Sequence, residues 1–138
     1  MKENNCIFCK IADGEIPSAT IYEDEEFRAF LDLNPASRGH ALIVPKEHFA
    51  NLFEMDEEHL KKLIVLAQRI GKYMKEKLGC DGLNLVQNNG EAAGQTVFHF
   101  HLHLIPRYKD DGVQLAWTPH ESEEAQLEEI RAAIRKAI

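Results

Sequence analysis

The alternation of apolar and polar positions divides the chain into a strand-rich first third, a long amphipathic helix, two further strands and a closing helix. Runs rich in β-branched and aromatic residues span 20–23 and 27–32 on either side of an acidic turn, Asp24-Glu25-Glu26, and a third run spans 41–44 before Pro45. A hairpin followed by a third strand is predicted. From Leu60 the spacing turns helical: Leu63, Ile64, Ala67, Ile70, Met74 and Leu78 form an apolar stripe, with Asp56 placed to cap its start and Gly79 to stop it. Residues 83–87 and 99–107 read as strands separated by the polar, glycine-containing loop 88–96, which suits antiparallel pairing. After Trp117, Thr118-Pro119-His120-Glu121 resembles a capping box with proline at the first helical position, and Leu127, Ile130, Ile134 and Ile138 give a C-terminal helix its apolar stripe. Five strands grouped together with helices set to one side predict an α+β fold with a mainly antiparallel sheet.

Composition narrows the functional classes. The chain has 138 residues, 44% of them hydrophobic and 28% charged, without repeat or linker-like tract, which fits a single domain over 1–138. Its apolar runs fall short of the roughly 18 to 20 residues that cross a bilayer, and the opening MKENNCIFCK has no signal-peptide core. A soluble, cytoplasmic protein with no membrane partner is expected. A formal charge of −7 opposes a polyphosphate backbone, so nucleic acid is disfavoured as a partner, while a small anion stays open where local donors outweigh the overall field. Cys6-x-x-Cys9 with Cys80 standing apart suits metal or thiol chemistry better than a disulfide framework. A four-coordinate metal on that pair needs two more ligands from among His40, His48, His59, His99 and His120. His59, in the first helical turn, and His120, in a polar cap, read as solvated.

The segment Gly94-Gln95-Thr96-Val97-Phe98-His99-Phe100-His101-Leu102-His103-Leu104-Ile105 concentrates the chemistry. In a strand, alternate side chains share a face, so the three imidazoles project from one side while Phe100, Leu102 and Leu104 enter the core. Three titratable rings buried together are costly without a ligand or partner. Two chemistries suit them: a metal site, or imidazole acting on phosphorus as nucleophile and proton carrier. The preceding loop favours the second, since Gly90 and Gly94 allow close backbone approach to a phosphate and Gln95 and Thr96 add side-chain donors.

His99-Phe100-His101-Leu102-His103-Leu104-Ile105 matches the His-φ-His-φ-His-φ-φ signature of the histidine triad family, and Gly94-Gln95-Thr96-Val97 its lead-in. Ile7-Phe8-Cys9-Lys10-Ile11, Ile16-Pro17, Phe30-Leu31-Asp32, Gly39-His40, Val44-Pro45-Lys46 and Arg107 extend the likeness to the bacterial branch over most of the chain. The resemblance implies a five-stranded sheet continued across a homodimer, and hydrolysis or transfer at the α-phosphate of purine nucleotide derivatives, phosphoramidates or dinucleoside polyphosphates, through a nucleotidyl-histidine intermediate. It implies His101 as nucleophile, His103 bonded to the phosphate with Gln95 and Thr96 nearby, and Asp32 on the ribose hydroxyls. Ile7, Phe8 and Phe30 would line the base pocket, Asn88 and Gly94 would contact the nucleotide, and His40 would stand near the triad. It also implies one structural zinc per chain on Cys6, Cys9, His48 and His99, with no metal needed for the chemistry. Ile7, Phe8 and Phe30 read equally as core, and Asp32 as a turn residue before Pro35. The alternative function is a regulator that binds a purine nucleotide without turnover, and a third class is a metal module using all three triad histidines.

Overall fold

The first hairpin forms around Asp24, whose Oδ1 accepts from the backbone N–H groups of Glu26 and Phe27, each at 2.7 Å, while the Tyr22 hydroxyl donates to its Oδ2 at 2.7 Å. These bonds turn β1 (Thr20–Glu23) back into β2 (Phe27–Leu31). β2 pairs along its length with β3 (Ala41–Pro45). In the computed structural model, which describes residues 3–138, β4 (Gly82–Val86) and β5 (Leu102–Arg107) pair with each other and β5 also with β3. The result is an antiparallel five-stranded sheet in the order β1-β2-β3-β5-β4, with α1 (Ile7–Ala12), α2 (Glu57–Leu78) and α3 (Glu124–Ala137) around it. The α+β class, the five strands and the two anticipated helices are all present; α1, one and a half turns long, carried no periodic signal.

Side-chain alternation assigns the two faces of the sheet. Phe27, Ala29, Ala41, Ile43, Leu102 and Leu104 pack against Leu63, Leu66, Ala67, Ile70 and Met74 of α2. Each such large side chain contributes about 1.5 to 3 kcal/mol when fully buried. Phe30, Leu42 and Val44 face the other way, onto Ala12, Phe8 and Ile11 of α1. The register sets Leu42 opposite His103 and Phe30 opposite Leu42, so the α1 face leads directly to the histidines. Asp56 caps α2, its Oδ1 accepting from the His59 N–H at 2.7 Å, and Gly79 closes the helix with φ 68°.

Three predicted details differ. On α2, Leu66 is buried and Ile64 is 54% exposed, because the stripe that meets the sheet runs through 63, 66, 67, 70 and 74, and Ile64 lies about 100° around the helix from Leu63. α3 starts at Glu124 and not at the box around Pro119, since the first apolar position of its repeat is Leu127 and nothing holds an earlier turn in place. His59 is not a solvated ring: it packs edge-on against Phe49 and Phe27, with centroids 5.1 and 5.9 Å away. Among the described residues, no helix is long and apolar enough to cross a membrane.

The turn before β3 delivers His40. Gly39 has φ 88°, and a Cβ there would strike the Leu78 side chain at the end of α2. The His40 N–H donates to Ser37 O at 3.1 Å, and the Ser37 hydroxyl donates to Pro106 O at 2.5 Å, tying the turn to β5. Gly39→Ala combines a left-handed β-carbon with that clash and should cost roughly 1 to 3 kcal/mol. Urea unfolding should show a lower midpoint with an unchanged slope; an unaltered midpoint would mean that Leu78 yields freely.

Candidate functional site

β5 begins at Leu102, three residues later than the alternation predicts, because other bonds hold the segment ahead of it. The Phe100 N–H donates to Phe49 O at 2.6 Å, the His99 ring bonds Pro45 O through Nε2 at 2.8 Å, and the β3–β5 ladder stops at Ile43 and Leu102. Alternation nonetheless persists through this extended stretch. Phe100 joins Leu102 and Leu104 in the core beneath α2, and the three imidazoles lie on the α1 side. From there each ring takes a different partner.

His99 is fully buried and turns toward the N-terminal segment. Its Nδ1 lies 3.2 Å from Cys6 Sγ, 3.4 Å from Cys9 Sγ and 3.2 Å from His48 Nδ1, and Cys9 Sγ lies 3.3 Å from His48 Nδ1. Tetrahedral zinc with bonds of about 2.0 Å to nitrogen and 2.3 Å to sulfur separates its ligand atoms by roughly 3.3 to 3.8 Å, close to this spacing. The donor set therefore fits a metal, and Cys6, Cys9, His48 and His99 could hold one. Protonation agrees. Pro45 O can only accept, so His99 carries its proton on Nε2 and presents a bare Nδ1 to the thiols, the arrangement usual for a metal-bound histidine. Burial, more than the neighbouring rings, pulls the His99 pKa down to about 4, keeping it neutral. The cysteine pair is set by α1: Cys6 Sγ accepts from the Cys9 N–H at 3.3 Å at the helix start, and Cys9 Sγ from the Glu3 N–H at 3.5 Å.

His101, also buried, has Nδ1 at 2.8 Å from the carbonyl oxygen of His99. The proton must sit on Nδ1, leaving the Nε2 lone pair free. Burial lowers its pKa, against the opposing pull of that carbonyl and of Asp32, so the ring is neutral and nucleophilic near pH 7. Phe8 stands edge-on to it at 4.9 Å.

His103 belongs to a relay. The Ala36 N–H donates to His40 Nδ1 at 2.9 Å, so His40 carries its proton on Nε2 and donates to His103 Nδ1, also at 2.9 Å. His103 then holds its own proton on Nε2 and has one outward donor. Burial first, then the proximity of His101 and His40, brings its pKa to about 4, and burial lowers that of His40. Asp32 takes the turn role read from the sequence, Oδ1 accepting the Asn34 N–H at 2.8 Å, and its Oδ2 lies 3.7 Å from His40 Nε2. Asp32, His40 and His103 lie close enough to share a cation, but the ring nitrogens between them are already bonded to each other. The three triad imidazoles do not converge on one metal.

The loop before the triad differs in one respect from expectation. Gln95 is buried and its amide serves the loop itself: Oε1 accepts the Gly90 N–H at 2.8 Å, and Nε2 donates to Ala50 O and Val97 O at 2.7 and 3.0 Å. With both amide hydrogens engaged, it is a brace and not a free donor. Thr96 is exposed, and Asn88 stands beside Gly94, whose φ of 94° only glycine adopts readily. Phe30 is core, Phe8 lies between that core and His101, and Ile7 is 49% exposed at the edge. Ala36, Pro45 and Phe49 act through backbone atoms, which no side-chain pattern signals. Cys80 is buried.

A model of the HIT domain matches residues 13–110. The chain is 43% identical over 137 residues to Protein hit of Bacillus subtilis strain 168, covering 97% of this chain and 94% of that one. It is 44% identical over 119 residues to adenosine 5′-monophosphoramidase HNT1 of Saccharomyces cerevisiae, covering 86% and 73%. It is 42% identical over 109 residues to adenylylsulfatase HINT3 of Arabidopsis thaliana, covering 79% and 55%. A crystal structure of a HIT family member from Bacillus subtilis superposes with a TM-score of 0.90 at 42% identity over 98% of each chain. A zinc-bound histidine triad protein from Mycobacterium smegmatis gives 0.76 at 38% identity, over 94% and 97%. The chain belongs to the HIT family.

Proposed function

We propose that the protein hydrolyses or transfers nucleotides at the α-phosphate of purine nucleotide derivatives, phosphoramidates or dinucleoside polyphosphates, with His101 as nucleophile. The observation that carries this reading is the bond from His101 Nδ1 to the His99 carbonyl, which leaves a neutral Nε2 lone pair at a partly apolar site. Nε2 attacks the α-phosphorus and the bond to the leaving amine or phosphate breaks. The leaving group takes a proton, and the nucleotide stays on the imidazole until water displaces it. His103, its tautomer set through His40 and Ala36, directs Nε2–H at a phosphate oxygen, and such preorganised donors typically supply a large share of the rate. Thr96, Asn88 and the backbone around Gly94 add polar contacts, with Gln95 bracing the loop. Asp32 offers Oδ2 to the ribose hydroxyls, Phe8 and Ile7 meet the base, and Phe30 backs them. The named activities of the yeast and plant relatives, a phosphoramidase and an adenylylsulfatase, support a substrate of this class.

Cys6, Cys9, His48 and His99 would hold one structural zinc, which supplies a crosslink between the N-terminal segment and the entry to β5. The 1–138 chain works as one domain and as a homodimer. Leu83 and Leu85 on the edge strand β4 are 38% and 44% exposed, an edge with apolar side chains that a second copy would cover. The reaction and its site are taken to be cytoplasmic, with a small-molecule nucleotide as the partner.

His101→Ala should reduce hydrolysis of an adenosine phosphoramidate by about a thousandfold or more while leaving nucleoside monophosphate binding nearly intact. Mass spectrometry of wild type quenched in denaturant at alkaline pH, where the P–N bond survives, should find one nucleotidyl group on this residue, and near-normal turnover by the variant would rule out the nucleophile. Elemental analysis should give about one zinc per chain. Cys9→Ser should lose it and melt at a lower temperature, whereas His101→Ala should keep it. Zinc retained by Cys9→Ser would exclude the assigned ligand set.

Stability should also report the neutral His103. Its folded pKa, about 4, lies below the ordinary 6.5, so between those values the unfolded chain binds the proton first. The ring's contribution is therefore fully present above pH 6.5 and is lost as pH falls toward 4. Thermal melts over that range should fall less steeply for His103→Asn than for wild type; parallel slopes would show that the ring titrates normally.

A further inference from the structure

Two apolar surfaces have no partner among the described residues, and they are complementary. Leu127, Ile130 and Ile134 line one side of α3 and are 55, 49 and 55% exposed, and every residue from 114 to 138 is exposed. A helix of 14 residues is marginal in water without a packed face. Its lead-in is nonetheless anchored: Arg107 donates to the Asp111 carboxylate at 2.8 and 3.0 Å and to Val113 O at 2.8 Å, so the chain leaves the body from a fixed point. Beyond that clasp the helix stands free of its own sheet.

The second surface is a groove of about 620 Å³ between α2 and the β1–β2 side of the sheet, with Leu31, Ile70 and Tyr73 among its apolar walls. Arg38, Arg69 and Lys77 also line it, and no carboxylate does. Residues 121–130, the lead-in and first half of α3, hold Glu121, Glu123, Glu124, Glu128 and Glu129 and no Lys or Arg. Charge and apolar character thus match over the lead-in and first half of α3, while the basic half of the helix, with Arg131, Arg135 and Lys136, would lie away from the groove's own cations. The groove lies on the opposite flank of α2 from Gly71, the point where Leu83 of β4 approaches the helix, so a dimer joined through β4 leaves it open.

We infer that α3 is an exchanged arm: the helix of one copy lies in the α2 groove of a second copy, and reciprocally. This rests on the homodimer reading. It gives the dimer a second contact that closes an apolar groove on each subunit, independent of edge-strand pairing.

The test is thiol crosslinking of full-length protein. Tyr73→Cys and Leu127→Cys chains, purified separately, mixed and treated with a short bismaleimide, should give covalent dimers containing one of each. The double variant should give interchain dimers, and wild type, whose own cysteines are buried or half-buried, should give none. Internally linked monomers from a protein that sediments as a dimer would overturn the exchange and leave the dimer standing. A dimer with no crosslink in any variant would remove the arm from the groove altogether, and a monomeric wild type would overturn both readings. Ile130→Asp, at a position exposed within its own chain, should raise the dimer dissociation constant tenfold or more; an unchanged constant would count against the arm.

Discussion

The burial of His99 constrains the rest of the site. Its ring joins three stretches of chain distant in sequence: the N-terminal thiols on Nδ1, the exit of β3 through the Pro45 carbonyl on Nε2, and the entry to β5 through its own backbone. A buried imidazole with both nitrogens engaged has one tautomer and one orientation. Its carbonyl then points at His101 and decides that ring's tautomer in turn. Moving His99 would thus alter the lone pair of His101 without touching it. A metal held by Cys6, Cys9, His48 and His99 would therefore bear on the proposed chemistry through the direction of a carbonyl.

The second tautomer is set from the opposite side of the site by a separate chain of bonds. The Ala36 N–H, fixed in the turn ahead of Gly39, requires His40 Nδ1 to accept, which requires His103 Nδ1 to accept as well. One backbone donor and one backbone acceptor, more than 60 residues apart in sequence, leave His101 and His103 different at Nε2: a lone pair on His101 and a proton on His103. The proposed nucleophile and donor need this difference. Two identical residues on one strand face cannot acquire it from their own chemistry.

How much of this could be read in the sequence depended on whether side chains or backbone carried the information. The limits of α2 were legible because Asp56 and Gly79 cap it through their own conformational preferences. The segregation of Phe100, Leu102 and Leu104 from the histidines followed from the two-residue period, and it holds even where the ladder has ended. The start of β5 was not legible, since it is set by carbonyls at Pro45 and Phe49 that exist only once β3 is in place. Gln95 reads as a donor for a ligand in sequence and becomes a brace in the fold, because Ala50 and Val97 offer their carbonyls first. The Cys6, Cys9, His48 and His99 grouping came from resemblance; spacing alone left five histidines open. On α3 the capping box misled because a cap alone does not start a helix, and the apolar repeat begins two turns later.

On the proposed function, an acidic chain of net charge −7 has to solve an electrostatic problem to take up phosphate, and the site offers one solution. Among the described residues, none of those gathered around His101 is Lys or Arg. Asp32, the one charged group there, is an anion, with one oxygen held by the Asn34 N–H. Attraction must come from dipoles: the His103 Nε2–H, the Thr96 hydroxyl, and backbone N–H groups near Gly94. Neutral donors act at contact distance and fall off faster than a point charge, so they stabilise a phosphate already in place more than one approaching from afar. A cation near Nε2 of His101 would also disfavour the imidazolium-like charge that builds when the ring bonds phosphorus. Burial, by holding the four histidines of the site below their ordinary pKa, keeps that charge absent until the reaction itself creates it. The same low polarity that makes buried histidines costly to the fold therefore keeps the nucleophile available.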